Sequence, residues 1–206
     1  MPPSSLRFLF FDMGKVLLDF DHRVGCERLA VHAGVSTERV WDAIFASGIE
    51  WQYERGEITS REFIARVRES IPTLPGFDTT LELVSDIFAA RPDVEELLDR
   101  LARRGHRMGL LSNTCEAHWR HLYPDRFPFL RERFSVHALS FELRAMKPEP
   151  TIYQQALAMA GVTPEETFFV DDRLENVDAA ARLGIDAVPF HSATQLAEEL
   201  AVRGLL

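Results

Sequence analysis

Cysteine is scarce in this sequence of 206 residues, and the two that it has, Cys26 and Cys115, lie far apart. Their spacing matches no metal-binding pattern and does not favour a disulfide. Unpaired cysteines are typical of proteins in a reducing compartment. We therefore expect two free thiols and a location in the cytoplasm.

Positive charge is also in short supply, with 23 lysine and arginine residues against 32 aspartate and glutamate residues and a net charge of −9. This balance argues against attraction to nucleic acids or anionic membranes.

Long hydrophobic runs are missing as well: the stretch before Asp12 is too short for a signal peptide, and no later run approaches a membrane span. We expect a small-molecule partner, no nucleic acid and no membrane, and a monomer or homodimer.

Strand patterns are missing from residues 22 to about 90, where the periodicity is helical. Its interruptions come at turn-forming residues: Gly34, Gly48, Gly56 and the proline-rich stretch 71–76. Within it, Thr59 and Glu62 have the spacing of a capping box, which predicts a helix that starts there. The segment is predicted to be a small, all-helical insertion.

The rest of the chain alternates between apolar strands and helices. An apolar run precedes Asp12, and the later strands are predicted at 106–114, 135–140, 167–170 and 186–190. Helices are predicted at 92–104, 116–121, 150–160 and 176–183, with a last one from residue 194. This alternation predicts an α/β fold with a Rossmann-like parallel sheet, helices on both faces and a ligand site beyond the carboxyl ends of the strands.

The predicted strands end in polar residues. These are Asp12 after the first strand, Ser112, Asn113 and Thr114 at the end of the second, and Asp171 and Asp172 after the strand at 167–170. In a parallel sheet such positions converge on one edge, and Lys147, which precedes a predicted helix on the same side, is placed to reach it.

Each motif also has a purely structural explanation when it is taken alone. Asp12 could cap a turn, Ser112–Asn113–Thr114 could cap the next helix, Asp172 and Glu175 match a capping box, and Lys147 could be a solvated charge. Their order, with each motif at a strand end, favours one shared site.

The chemistry of such a site follows from its acids. Three carboxylates close together repel one another unless a cation neutralises them, and Mg²⁺ prefers such oxygen ligands, so we expect Mg²⁺ as the cofactor. A carboxylate can attack phosphorus, and Asp12 is the candidate nucleophile. The oxygens of a phosphoryl group need donors and positive charge. These are available from Mg²⁺, Ser112, Asn113 and Lys147.

The chain resembles the haloacid dehalogenase-like hydrolase superfamily, which has four motifs in a fixed order. Here they are Asp12 after an apolar strand, LLSNT with Ser112, MKP with Lys147, and VDD with Asp171 and Asp172. The resemblance covers nearly the whole chain. The resemblance implies a core of residues 1–20 and 91–206 and a cap of residues 21–90. It implies that Asp12 is the nucleophile and a metal ligand, and that Asp172 and the Gly14 carbonyl also bind the metal. Asp171 would lie behind these ligands or bind the metal through water. Ser112 and Asn113 would bind the phosphate, and Lys147 would be the cation that holds both the nucleophile and the phosphate.

Gly14 departs from most phosphatases of this superfamily, which have an aspartate there as general acid and base. A subgroup with DxGxV, which includes sugar-phosphate phosphatases, is similar in DMGKV and in the later ERGEI. Our hypothesis is that the substrate has a good leaving group, such as an anomeric hydroxyl. The missing acid could instead be Asp19, Asp21 or a cap residue. Three residues in the middle of the cap, Trp51, Tyr53 and Glu54, either contact the substrate or pack in the core of the cap.

Two rival functions remain open at this point. A metal-free haloacid dehalogenase would use Asp12 on carbon, but the pair Asp171–Asp172 would repel the carboxylate of its substrate. The second rival is a protein that binds phosphorylated metabolites but does not hydrolyse them. Only Gly14, in place of the usual acid, favours it. The motifs favour a Mg²⁺-dependent phosphatase that forms an aspartyl-phosphate on Asp12.

Overall fold

The computed structural model describes residues 6–206 and is built around a parallel β-sheet. The strands are β1 (Phe8–Phe11), β2 (Leu18–Phe20), β3 (Phe88–Ala90), β4 (Arg107–Ser112), β5 (Val136–Leu139), β6 (Thr167–Asp171) and β7 (Asp186–Pro189). Within the described residues, five of them form one sheet in the order β5-β4-β1-β6-β7, and every neighbouring pair is parallel. The predicted α/β class is confirmed, with β1 in the middle of the sheet.

Helices connect the strands and cover the sheet. They are α1 (His22–Ala33), α2 (Thr37–Trp41), α3 (Ile49–Glu54), α4 (Ser60–Ser70), α5 (Phe77–Ser85), α6 (Pro92–Arg103), α7 (Glu116–Leu122), α8 (Phe129–Glu132), α9 (Ser140–Leu143), α10 (Pro150–Ala160), α11 (Leu174–Arg182) and α12 (Ala193–Val202). A π-helical turn, Asp42–Ala46, follows α2, and a 3₁₀ turn, Pro164–Glu166, precedes β6. Among residues 6–206, no helix combines the length and apolar character that a membrane crossing requires.

The side chains of β1 alternate between two apolar layers, as the pleat of a strand requires. Leu9 and Phe11 belong to the layer that contains buried leucines of α6 and α12. Phe8 and Phe10 belong to the opposite layer, with buried residues of α10 and α11. Burial on both faces explains why β1 is apolar throughout, and it confirms the prediction of helices on both sides of the sheet.

The cap, formed by helices α1 to α5, has an apolar core of its own. Buried side chains from α1 to α4 meet there, among them Leu29, Val40, Tyr53 and Phe63, and partly buried side chains of α5 pack against them. Cys115 and Ala117, at the start of α7, join this cluster and so connect the cap to the rest of the protein. Both cysteines are buried free thiols, as expected.

A short antiparallel ribbon joins the cap to the sheet domain. It pairs β2 with β3, so that Leu18 lies opposite Ala90 and Phe20 opposite Phe88. This ribbon could not be predicted from the sequence, because three-residue strands show no reliable periodicity. Residue 20, where the first predicted core segment ends, is the last residue of β2, and residue 90, where the predicted cap ends, is the last residue of β3. Residues 1–5 of the predicted core lie outside the described part of the chain.

Local signals predicted several helix ends correctly. Thr59 and Glu62 form the predicted capping box, and α10 ends before Gly161, which has a φ of +67°. In contrast, α11 begins at Leu174, two residues before the predicted start. The reason is that the carboxylate of Asp171 accepts a hydrogen bond from the backbone of Arg173 and turns the chain at once into the helix.

Candidate active site

Three strand ends meet at one edge of the sheet, as predicted. The backbone N–H of Asp12, directly after β1, donates to the Val170 carbonyl of β6 at 2.9 Å. On the other side of β1, Phe11 pairs with Leu110 of β4, so Asp12 lies next to the end of that strand. Acidic and polar groups from β1, β4 and β6 are thereby brought into one place.

Lys147 lies between the acids of this edge. Its Nζ is 2.8 Å from Asp12 Oδ1 and 2.6 Å from Asp171 Oδ2, and it also donates to the Leu111 carbonyl at 2.8 Å. Burial by itself would lower the pKa of Lys147, but Asp12 and Asp171 outweigh burial and raise it. Lys147 is therefore a fixed cation whose three N–H donors are all used, and not a solvated charge.

The two acids that follow β6 have different surroundings. Asp171 is fully buried, and its oxygens accept hydrogen bonds from Lys147, from the Arg173 backbone and from the side chain of Asn176. Asp172 is exposed and lines the cavity above the sheet edge. Asp171 is thus occupied in holding Lys147, whereas Asp172 faces the space that a ligand would enter.

The donor set fits a divalent cation. Asp12, Asp171 and Asp172 each place one carboxylate oxygen within 4.8 Å of the other two. Burial, opposed by Lys147 and reinforced by Asp171 and Asp172, raises the pKa of Asp12 to about 7. One lysine therefore does not balance the negative charge, and oxygen ligands with an excess of negative charge are what Mg²⁺ prefers.

Asn113 and Ser112 occupy different places at the end of β4. The amide of Asn113 donates to the Lys147 carbonyl at 3.0 Å and accepts from the Lys147 N–H at 2.8 Å, which joins the two segments. Among residues 6–206, the hydroxyl of Ser112 has only a long contact of 3.4 Å with the Asn113 carbonyl, so it is available to a ligand. Asn113 lines the main cavity, and both residues line a smaller one beside it.

Two of the structural alternatives are wrong: the Ser112–Asn113–Thr114 stretch does not cap α7, and Asp172 and Glu175 do not form a capping box. The N-cap of α7 is Cys115, which follows the Ser112–Asn113–Thr114 stretch. The N-cap of α11 is Arg173, and neither a side-chain cap nor a capping box forms at that helix start. The polar residues at these strand ends are therefore not accounted for as helix caps.

Gly14 lines the cavity, and the structure shows why a side chain is missing there. A Cβ on Gly14 would stand 2.7 Å from Cε1 of Phe20, a distance that requires one of them to move. Phe20 also packs against Phe88 and His22 with ring centroids 5.7 and 4.9 Å away. The ring of Phe20 therefore occupies the space in which an acid at position 14 would lie.

Cap residues line one side of the cavity, which has a volume of about 190 Å³. Its cap-side lining comprises His22, Glu50, Trp51 and Glu54. Trp51 is 54% exposed, whereas Tyr53 is buried in the cap, where its hydroxyl contacts Ser60 at 2.7 Å and accepts from the Ala117 N–H. Of the three cap residues predicted either to touch substrate or to pack, Trp51 and Glu54 face the cavity and Tyr53 packs.

The other two acids considered in place of Gly14 lie elsewhere. Asp21 caps α1 by accepting from the Arg23 N–H at 2.8 Å, and Asp19 is an exposed residue of β2. Neither lines the cavity. Conversely, Arg173 and Asn176 do line it and were not predicted from the sequence, although their position shortly after β6 is a signal for this edge of the sheet.

A family model described as haloacid dehalogenase-like hydrolase matches residues 6–184. A D-ribitol-5-phosphate phosphatase of Bacteroides thetaiotaomicron is 25% identical over 205 residues, which cover 96% of this chain and 98% of the relative. A sesquiterpene phosphatase of Aspergillus oryzae is 26% identical over 207 residues, with 98% of each chain covered.

Among solved structures, an enzyme of the same family from Bacteroides thetaiotaomicron, in complex with magnesium and inorganic phosphate, matches with a TM-score of 0.78. It is 28% identical, and the match covers 90% of this chain and 94% of that one. Sequence and structure comparisons therefore agree on the fold and on the kind of chemistry for which the site is built.

Proposed function

This chain belongs to the haloacid dehalogenase-like hydrolase family as a hydrolase of phosphoric monoesters, and from that premise we propose that it removes phosphate from a small metabolite, with a sugar phosphate favoured. The observation that carries the proposal is the contact of Lys147 with Asp12 beside the exposed carboxylate of Asp172. This arrangement presents a carboxylate nucleophile, a fixed cation and a metal ligand to one cavity.

Asp12 is proposed as the nucleophile. An Oδ atom of Asp12 attacks phosphorus, the bond from phosphorus to the ester oxygen breaks, and a phosphorylated Asp12 results, which water then hydrolyses. Lys147 holds the attacking carboxylate in place through its 2.8 Å contact. The available hydroxyl of Ser112 and the N–H of Asn113 are proposed to donate to the phosphoryl oxygens.

The residues proposed to hold Mg²⁺ are Asp12, Asp172 and the carbonyl of Gly14, with Asp171 behind them. The chemistry that the ion supplies when bound is neutralisation of the charge shared by the carboxylates and the phosphoryl group. The buried Oδ1 of Asn176, which has no hydrogen-bond partner among the described residues, is an acceptor suited to water at this site.

The size and lining of the cavity support a small, polar substrate. A volume of about 190 Å³ is below the range of about 300–1,000 Å³ that is common for drug-sized ligands. The half-exposed ring of Trp51 provides an apolar surface against which the carbon face of a sugar or polyol can pack, and Arg173 provides hydrogen-bond donors. These features favour a phosphorylated sugar or sugar alcohol.

Hydrolysis of p-nitrophenyl phosphate and of a panel of sugar and sugar-alcohol phosphates tests the proposal. We expect release of inorganic phosphate that requires Mg²⁺ and stops with EDTA, and no release of chloride from 2-chloropropionate. Chloride release without a metal would instead identify a dehalogenase. A melting temperature that rises with phosphorylated ligands, without turnover of any of them, would identify a binding protein.

Asp172→Asn tests the assignment of the metal site. We expect Mg²⁺ to raise the melting temperature of the wild-type protein in a saturable way, and the variant to bind Mg²⁺ about 10- to 100-fold more weakly because it loses a charged ligand. Asp178→Asn is the control, since Asp178 is an exposed residue of α11. Equal Mg²⁺ affinity in the wild type and Asp172→Asn would refute the assignment.

A further inference from the structure

When a phosphate ester is cleaved, the alcohol that leaves must gain a proton. Gly14 has no side chain that could donate it. The acidic residues that line the main cavity are Asp12, Asp172, Glu50 and Glu54. The first two are already engaged as nucleophile and metal ligand in the proposed function. Within the described residues, the acids left to donate a proton from this lining are therefore Glu50 and Glu54, both on α3 of the cap.

Glu54 is the one of the two that is directed toward the phosphate end. It lines both the main cavity and the smaller one that is bordered by Ser112 and Asn113, and its carboxyl group is influenced by the charge of Asp12. Glu50 instead lines the main cavity and an apolar cavity between the cap and the start of α7. Glu54 thus lines the same cavity as the nucleophile, from the cap side, and also borders the space beside Ser112 and Asn113.

The backbone around Glu54 is held on the sheet domain by three contacts. Ser140 Oγ donates to the Glu54 carbonyl at 2.7 Å. Arg55 forms an ion pair with Glu149. Gly56 packs so closely on Phe141 that a Cβ would come within 2.0 Å of the Phe141 carbonyl oxygen. These contacts fix the position of Glu54 relative to Asp12, as proton transfer requires.

The surroundings of Glu54 favour the protonated form of its carboxyl group. Burial first, and then the neighbouring Glu50, raise the pKa of Glu54 well above its usual value. Burial also raises the pKa of Glu50, which lies four residues earlier on the same helix. Glu54 is therefore suited to act as an acid at neutral pH.

We propose that Glu54 is the general acid that protonates the leaving oxygen, in place of the acid that Gly14 lacks, and this rests on the proposed phosphatase function. As Asp12 attacks, the electron pair of the breaking P–O bond stays on the ester oxygen, which takes the proton of Glu54 and leaves as an alcohol. Water then attacks the phosphorylated Asp12 and gives its proton to the Glu54 carboxylate, which restores both residues and releases phosphate. This acid removes the need for an unusually good leaving group.

The test is the dependence of kcat/KM on the leaving group in Glu54→Gln, because kcat/KM covers the steps up to release of the alcohol and excludes the later hydrolysis of phosphorylated Asp12. General acid catalysis is typically worth about 10²- to 10⁴-fold, so we expect a loss in that range with a primary-alcohol phosphate. With p-nitrophenyl phosphate, whose leaving group needs no proton, the loss should stay within about 10-fold. Glu69→Gln is the matched control, because Glu69 is an exposed glutamate on α4 of the same cap. Melting temperatures of all variants show that they are folded.

Equal losses with both substrates would overturn the role of Glu54 and leave the phosphatase function intact. A larger leaving-group dependence in Glu50→Gln than in Glu54→Gln would assign the acid to Glu50 and also overturn it. If the wild-type protein shows no hydrolysis that depends on Asp12, then the proposed function fails and the role of Glu54 fails with it.

Discussion

Replacement of Asp12 with asparagine is expected to abolish hydrolysis of every phosphate ester that the protein accepts. The amide has the same shape but is a very poor nucleophile, and loss of a catalytic nucleophile costs on the order of 10⁴- to 10⁶-fold in kcat. The fold should survive, because Lys147 keeps its contacts with Asp171 and the Leu111 carbonyl. Phosphate release under saturating Mg²⁺ is the measurement, with circular dichroism as the check on folding.

Asp19→Asn is the appropriate control for Asp12→Asn. Asp19 is seven residues away, exposed, and 3.9 Å from Lys15, and it does not line the cavity. Its replacement should change kcat by less than about 3-fold, as is usual for exposed positions away from a site. Substantial activity in Asp12→Asn would contradict the phosphatase and dehalogenase mechanisms alike, since both need this carboxylate.

Lys147→Met should give the largest loss of stability. It leaves the buried carboxylates of Asp12 and Asp171 without their shared cation, and removal of one partner from a buried ion pair typically costs about 3–5 kcal/mol of unfolding free energy. Without Lys147 the pKa of Asp12 rises further, so the folded variant binds a proton more readily than the unfolded chain. Its stability deficit at pH 8 should therefore shrink as the pH falls to 5.

Urea denaturation of the metal-free proteins measures this effect, and Lys15→Met is the matched control. Lys15 lines the same cavity, but its side chain is 44% exposed and its Nζ is 3.9 Å from the nearest carboxylate, that of Asp19. Its replacement should cost less than about 1 kcal/mol. A loss of similar size in both variants would show that Lys147 does not have the structural role that its contacts indicate.

The placement of the site could be predicted because it depends on local patterns. An apolar strand followed by an acid is recognisable in sequence, and a parallel sheet necessarily brings the carboxyl ends of its strands to one edge. Asp12, Ser112, Lys147 and Asp172 were located in this way. The contact of Lys147 with both Asp12 and Asp171 could not be predicted, because it depends on where the segment between α9 and α10 lies relative to the ends of β1 and β6.

The two acids that follow β6 illustrate a second limit. Asp171 and Asp172 are adjacent in sequence, and no pattern distinguishes them by burial. In the structure the first lies in the strand and points into the protein, where Lys147 and Asn176 bind it, while the second points to the cavity. Successive side chains of a strand lie on opposite sides, so the end of β6 decides which acid faces a ligand.

By itself, the sequence determined the fold class, the helical insertion and the set of groups at the strand ends, because periodicity, caps and strand-end motifs are properties of neighbouring residues. Only the tertiary structure decided what fills the space beside Gly14 and which cap residues line the cavity. Phe20 reaches that space through the ribbon of β2 and β3, and Glu54 is positioned by Ser140 and Phe141, more than eighty residues away in sequence. Such contacts between distant segments leave no periodic trace, and they are what places the cap over the site.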